Sequence, residues 1–235
     1  MASNKHWAQL SERLEDSAKF LDPETSRLLR KLGLSPRSTR TQCEKRLQQK
    51  AQKLPGLGEI LPRLRLGAKH TDFFFDLYCP KTYLSHFRMS YWVPRQRNTR
   101  LLPKLEPLSR KLLEKLRLKR SRDYVLGLNS RIGQYSDAQI LMLDLDRFDE
   151  SARKELRKIG GYLFKSGRGY HFVAKRIYPS RSLWKKALQR TYSNPRLGKC
   201  LDQAHKTLSL QRGYSTLRIT SSPSKRIKPF FVEQL

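Results

Sequence analysis

The apolar positions change their period partway along the chain, at about residue 71. Before it, Leu10, Leu14, Phe20 and Leu21 recur at rough helical spacing, and Asp22-Pro23 reads as the start of a second helix carrying Leu28, Leu29 and Leu32 before Gly33. Gln42 to Leu54 is a third helical candidate, closed by Pro55-Gly56. Residues 1–66 thus read as a basic helical segment without a catalytic pattern, a packing or binding appendage to the rest of the chain.

From Thr71 the apolar residues cluster in short runs. Phe73-Phe74-Phe75, with Leu77 and Tyr78, reads as a strand, and Tyr91-Trp92-Val93 as another that ends at Pro94. Leucines interleave with the basic residues of Arg95 to Arg122, a pattern that predicts an amphipathic helix with one face on the core. Tyr124 to Leu128 predicts a strand, followed by a polar turn over Ser130 to Asp137. Ile140 to Leu145 is a second apolar run and reads as a buried strand. Asp149 is positioned to cap a helix running to Ile159, which Gly160-Gly161 would end. Tyr162-Leu163-Phe164 and Tyr170-His171-Phe172-Val173 flank a glycine-containing loop and predict a hairpin. Ser180 to Tyr192 predicts a helix with Leu183, Ala187 and Leu188 inward, and Leu201 to Leu208 a further one. Tyr214 to Thr220 alternates as a strand, and Pro229 to Val232 reads as a last edge strand. The expected class is α+β: a mixed or antiparallel sheet flanked by helices over residues 67–235, preceded by the helical segment 1–66.

Charge narrows the function. Fifty Lys and Arg face twenty Asp and Glu, a formal net of +30 over 235 residues, and such a body calls for a polyanionic partner. Nucleic acid fits best, because Lys and Arg gain free energy by displacing counterions from phosphates. A ribosome-like structural binder is the plainer version of the same reading. An anionic membrane fits less well, since no segment reads as an apolar span, and no membrane partner is expected. Arg95 to Arg122 and Lys175 to Lys199 are the densest basic stretches. Cys43, Cys79 and Cys200 show neither zinc-ligand nor disulfide spacing, and no signal segment is evident; the expectation is a reduced, cytoplasmic protein.

Three constellations could carry chemistry. Asp144-Leu145-Asp146 ends the buried run, and alternation along a strand projects both carboxylates to one face. Two carboxylates that close repel each other unless a cation lies between them, and Mg²⁺ or Mn²⁺ takes hard oxygen ligands of this kind. Solvated strand-end residues would show the same two letters. Lys165-Ser166-Gly167-Arg168-Gly169-Tyr170-His171 comes about twenty residues later. Glycines let backbone amides approach phosphate oxygens, and Lys165, Ser166 and Arg168 add donors; a tight hairpin with incidental charges is the plainer alternative. The third is Arg218 with a hydroxyl-rich turn through Ser222 to Lys225, suited to a phosphate or a template backbone.

In order and spacing these three resemble the archaeo-eukaryotic primase superfamily, which includes small primase subunits and primase-polymerases. The strand-borne Leu143-Asp144-Leu145-Asp146, the Ser166 to His171 segment and the Arg218 to Lys225 strand-turn carry the resemblance, which covers roughly residues 71–235. It implies an RRM-like catalytic core and a template-directed nucleotidyltransferase, a DNA primase or primase-polymerase. It also implies Mg²⁺ or Mn²⁺ on Asp144 and Asp146. Asp144, Asp146 and His171 would be the catalytic residues. Lys165, Ser166, Gly167, Arg168, Gly169, His171, Arg218, Ser222 and Lys225 would bind the incoming nucleoside triphosphate, with single-stranded DNA as template.

The family has a third metal-binding carboxylate upstream of the arginine strand. Asp202 is the only acid between Glu155 and Glu233, and it lies further from Arg218 than the family's spacing implies. It is taken as the third ligand, with a helix-surface role as the alternative. No zinc-module cysteines and no Walker A motif are present, so unwinding would fall to a helicase or another replication protein. The competing reading is a catalytically inactive primase-like domain, or an unrelated basic protein, that binds nucleic acid without chemistry. A rolling-circle nuclease ranks below both, because the five histidines at 6, 70, 86, 171 and 205 are dispersed.

Overall fold

The computed structural model describes residues 45, 48–49, 51–56, 73–78, 88–93, 125–133, 136–222 and 225–235. The helices expected before residue 45, the basic stretch Arg95 to Arg122, and the boundary at 66/67 lie outside the described residues. The described part is α+β. Eight strands are β1 (Phe73–Tyr78), β2 (Arg88–Val93), β3 (Val125–Ile132), β4 (Gln139–Leu145), β5 (Gly161–Ser166), β6 (Gly169–Tyr178), β7 (Thr216–Arg218) and β8 (Phe230–Gln234). The helices are α1 (Glu150–Ile159), α2 (Arg181–Ser193) and α3 (Gln203–Arg212). Seven strands run in the order β2-β1-β3-β4-β6-β5-β8, and β7 pairs with β3. Every pairing is antiparallel.

Alternation along β4 sorts its residues between two cores. Ile140 and Met142 pack with Phe75, Leu128, Phe164 and Val173 on one face; Leu141, Leu143 and Leu145 pack with Leu156, Trp184 and Leu188 on the other. A strand buried on both sides needs apolar residues at every position, which accounts for the unbroken Ile140–Leu143 run. Helix α1 begins where the Asp149 carboxylate accepts from the Ala152 amide at 2.8 Å, and the Ser180 hydroxyl caps α2 in the same way.

The sheet is not uniformly zipped. β3 and β4 meet only where Arg131 pairs with Gln139. Toward Val125 and Leu145 they separate, and β7 enters against Gly127–Asn129 of β3. The open end of this split is where Asp144 emerges.

Four local expectations change. β3 continues through Ile132 rather than turning at Ser130, because its polar residues are satisfied inside. The Asn129 amide donates to Asp76 at 3.1 Å, and the Ser130 hydroxyl to Gln139 at 2.7 Å. Leu183 does not face inward: it is 47% exposed, and Trp184, Leu188 and Tyr192 form the buried stripe of α2. Leu201 belongs to a bridge with Leu145, so α3 starts at Gln203. β7 is only three residues long, since Thr220 turns its hydroxyl to accept from the Leu126 amide at 2.9 Å.

Residues 51–53 are helical, as the third helical candidate requires, and Pro55 and Gly56 beyond them dock on the sheet. Gly56 bridges Phe230, and the Phe231 amide donates to the Pro55 carbonyl at 3.1 Å. No helix among the described residues is long and apolar enough to cross a membrane.

The α2 stripe yields a direct test. Leu188→Ala should cost about 2–5 kcal/mol in urea unfolding, as truncation of a fully buried leucine does. Leu183→Ser should stay within about 0.5 kcal/mol, as surface substitutions do. Equal losses at both positions would contradict the assigned face.

Candidate functional site

Asp144 and Asp146 close β4, and the chain brings Asp202 to them by a specific route. The Asn194 side chain accepts from the Arg196 and Leu197 amides and donates to Glu155, winding the end of α2 into a tight turn. A 3-10 turn, Gly198–Cys200, comes next, and a side chain at Gly198 would collide with the Tyr192 carbonyl. Leu201 then bridges Leu145, flanked by Asp146 N–H to Cys200 C=O at 2.9 Å and Asp202 N–H to Asp144 C=O at 3.0 Å. Asp144 and Asp202 are therefore opposite one another, and in such a pair the Cβ atoms lie about 5 Å apart. Residues 200–202 extend the sheet for a few residues at the open end of the split.

The second strand beside Asp144 is β6, where Asp144 pairs with His171 and the His171 Nε2 lies 3.8 Å from an Asp144 carboxylate oxygen. The β5–β6 connection is a two-residue hairpin turn at Gly167-Arg168, with Gly167 at φ +90° as such turns require. A Cβ at Gly169 would strike the Leu145 carbonyl, so glycine allows the hairpin to press against the end of β4. On the far side is Arg218, 7% exposed, whose guanidinium donates to the carbonyls of Thr220 at 2.6 Å, Ile227 at 2.7 Å, Ser166 at 3.2 Å and Lys225 at 3.4 Å. The Ser222–Lys225 turn is closed by reciprocal backbone bonds of 3.0 and 3.1 Å.

Electrostatics bind these residues into one group. Burial, then the neighbouring Asp202 and Asp146 charges, push the Asp144 carboxyl up to about 7; Arg218 and Lys225 pull against that rise. Burial and Asp202 likewise raise Asp146. Burial holds the His171 imidazole well below its ordinary value, and Arg218, His205 and Lys225 add to the effect, while a hydrogen bond with the Arg218 backbone opposes it. His171 is thus a neutral imidazole at physiological pH.

Of the residues singled out in the sequence, Asp144, Asp146, Asp202, His171, Arg218 and Lys225 act on one another here. Ser166 contributes through its carbonyl, and Arg168 is exposed at the hairpin tip. Lys165 is not brought in. It pairs with Tyr170 across β6 while Phe164 pairs with His171, so it points to the opposite face from His171. There it is fully buried, donating to the Arg168 carbonyl at 2.7 Å and lying over the Tyr170 ring at 3.8 Å. Gly167 and Gly169 serve the turn and the close approach to β4. The Ser222 hydroxyl accepts from the Lys225 amide at 3.1 Å.

Two residues join the site unannounced. The Tyr192 hydroxyl and His205 Nδ1 are 3.2 Å apart, and all three aspartates help raise the phenol's pKa after burial. Burial lowers His205 to about 4 despite Asp202. Only the fold joins the end of α2 to the start of α3, so no spacing in the sequence could have marked this pair.

Among the described residues no group of three or more His, Cys, Asp or Glu side chains is placed to hold a metal ion. One reason is visible: an Asp202 carboxylate oxygen caps α3, accepting from the Ala204 and His205 amides at 2.8 and 3.1 Å. The chain matches no protein-family model, no curated protein and no solved structure.

The burial of Asp144 beside other carboxylates has a measurable sign. Folding raises the proton affinity of Asp144 from 3.8 to about 7, so its ionisation opposes folding increasingly as pH rises through that window. Asp144→Asn should therefore raise Tm at pH 8 in metal-free buffer, by about 2–4 °C for each kcal/mol relieved in a chain of this size. The gain should vanish by about pH 4. A gain independent of pH would contradict the assigned environment.

Proposed function

We propose that the protein is a template-directed nucleotidyltransferase of the primase or primase-polymerase kind, which joins nucleotides to a 3′-hydroxyl with Mg²⁺ or Mn²⁺. The observation that carries this reading is the delivery of Asp202 to Asp144 and Asp146 through the Leu145–Leu201 bridge. Three carboxylates gathered against their own repulsion suit a doubly charged cation, and an open arrangement suits Mg²⁺, which keeps waters and substrate phosphates among its ligands. Asp144 and Asp146 would hold the cation with the remaining oxygen of Asp202. A bound ion there would lower the pKa of the attacking hydroxyl and neutralise the departing pyrophosphate.

The protein's own groups divide the remaining work. Neutral His171 can donate one hydrogen bond to a phosphate oxygen without adding a charge that competes for the carboxylates. Exposed Lys225 supplies a positive charge that the Asp144 carboxylate feels. Arg168, at the hairpin tip, can meet phosphate or template. The net charge of +30 suits a single-stranded DNA template held by its backbone. Duplex opening would come from a separate helicase or replication protein.

A second reading, nucleic-acid binding without catalysis, draws on the engagement of Asp202 as a helix cap and of Lys165 with a carbonyl. Primer extension on a single-stranded template separates the two. With Mn²⁺ or Mg²⁺ and either deoxynucleotides or ribonucleotides, the wild type should incorporate nucleotides. Asp144→Ala should fall to background while its salt-dependent affinity for the template changes less than about threefold. Incorporation retained by Asp144→Ala would overturn the catalytic assignment.

Melting provides an independent check. Mn²⁺ at a hundred times its Kd should stabilise the wild type by about 2.7 kcal/mol, and Asp144→Ala by much less.

A further inference from the structure

We infer that Arg218 is a positioning residue, one that holds the Ser222–Lys225 turn and the β5–β6 hairpin around the aspartates and does not itself touch the nucleotide. This inference rests on the proposed nucleotidyltransferase reading for its kinetic arm, and on the geometry alone for its structural arm.

Arg218 has the charge expected of a phosphate ligand, yet its guanidinium is occupied. It is 7% exposed and donates to four carbonyls, those of Thr220, Lys225 and Ile227 in one segment and Ser166 at the end of β5. The carbonyls come from two stretches far apart in sequence, and the planar fork of donors joins them at one point. The guanidinium thus ties these carbonyls together while its charge remains in the group around Asp144. With the residue 7% exposed and Nη1 shared among three carbonyls, a phosphate has little access to it. Exposed Lys225 lies on the segment that Arg218 holds, so the position of its ammonium depends on the clamp.

Lysine at 218 keeps the charge but lacks the fork. Arg218→Lys should speed hydrogen exchange of the amides in 219–229 by at least about tenfold, since a local opening there no longer breaks four bonds. Lys225→Ala should leave that exchange within about twofold of wild type. In primer extension, Arg218→Lys should raise the nucleotide KM several-fold more than it lowers kcat. In the Lys225→Ala background the same substitution should add little, because it acts through Lys225. Wild-type exchange over 219–229 should stay unchanged or slow when Mn²⁺ and a nucleoside triphosphate are added.

Unaltered exchange in Arg218→Lys, or full additivity of the two substitutions, would overturn the inference. So would faster wild-type exchange on adding the triphosphate, which would mean that phosphate takes the guanidinium from its carbonyls. If Arg218→Lys does not fold, that wild-type comparison decides. A wild type that incorporates nothing would count against the proposed function, and the exchange of Arg218→Lys would still settle the clamp.

Discussion

One short antiparallel contact, Leu145 against Leu201, organises the end of the sheet. Its apolar side chains sink into the helix-covered core, and the two backbone bonds beside it turn a chance proximity into a register. Register in turn fixes which residues face which, so Asp202 stands opposite Asp144 and not one position away. Three carboxylates then share one locality, at a cost that burial of two leucines helps to offset. The raised proton affinity of Asp144 expresses its burial first and these neighbouring charges second.

The positive groups around this cluster differ in what holds them. Arg218 is buried and bonded to four carbonyls, while Lys225 is exposed at the end of a turn whose carbonyl Arg218 meets. His171 is kept uncharged by burial and by these cations. Tyr192 and His205 complete the wall on the helix side and tie α2 to the residue that Asp202 caps.

Much of the fold was legible because its signals are local. The continuous apolar run before Asp144, the cap at Asp149 and the hairpin around Gly167 each stand in a few neighbouring letters. The errors arose where tertiary partners overrode them. Asn129 and Ser130 look like turn residues until Asp76, Gln139 and Ser215 supply interior partners. Leu183 and Trp184 are adjacent, and only the angle at which α2 meets the sheet decides which is buried. At the site, Asp144 and Asp146 were readable from strand alternation, but the place of Asp202 depended on a bridge spanning more than fifty residues of chain. Lys165 looked like a phosphate donor because charge is visible in a sequence and cross-strand register is not: one position earlier or later, it would have shared the face of His171.

The docking of Pro55 and Gly56 on β8 bears on how the molecule keeps to itself. Without that contact β8 would end the sheet with a row of unused amides and carbonyls, and an open edge invites pairing with a neighbour's strand. Two residues from a segment remote in sequence occupy part of that edge, and the glycine lies too close to Lys228 and Pro229 for a larger side chain to fit without adjustment. Strand addition by another copy at Phe230 and Phe231 would first have to evict the chain's own backbone. Among the described residues, Pro55 and Gly56 thus act as a partial terminator on the β8 edge of the sheet.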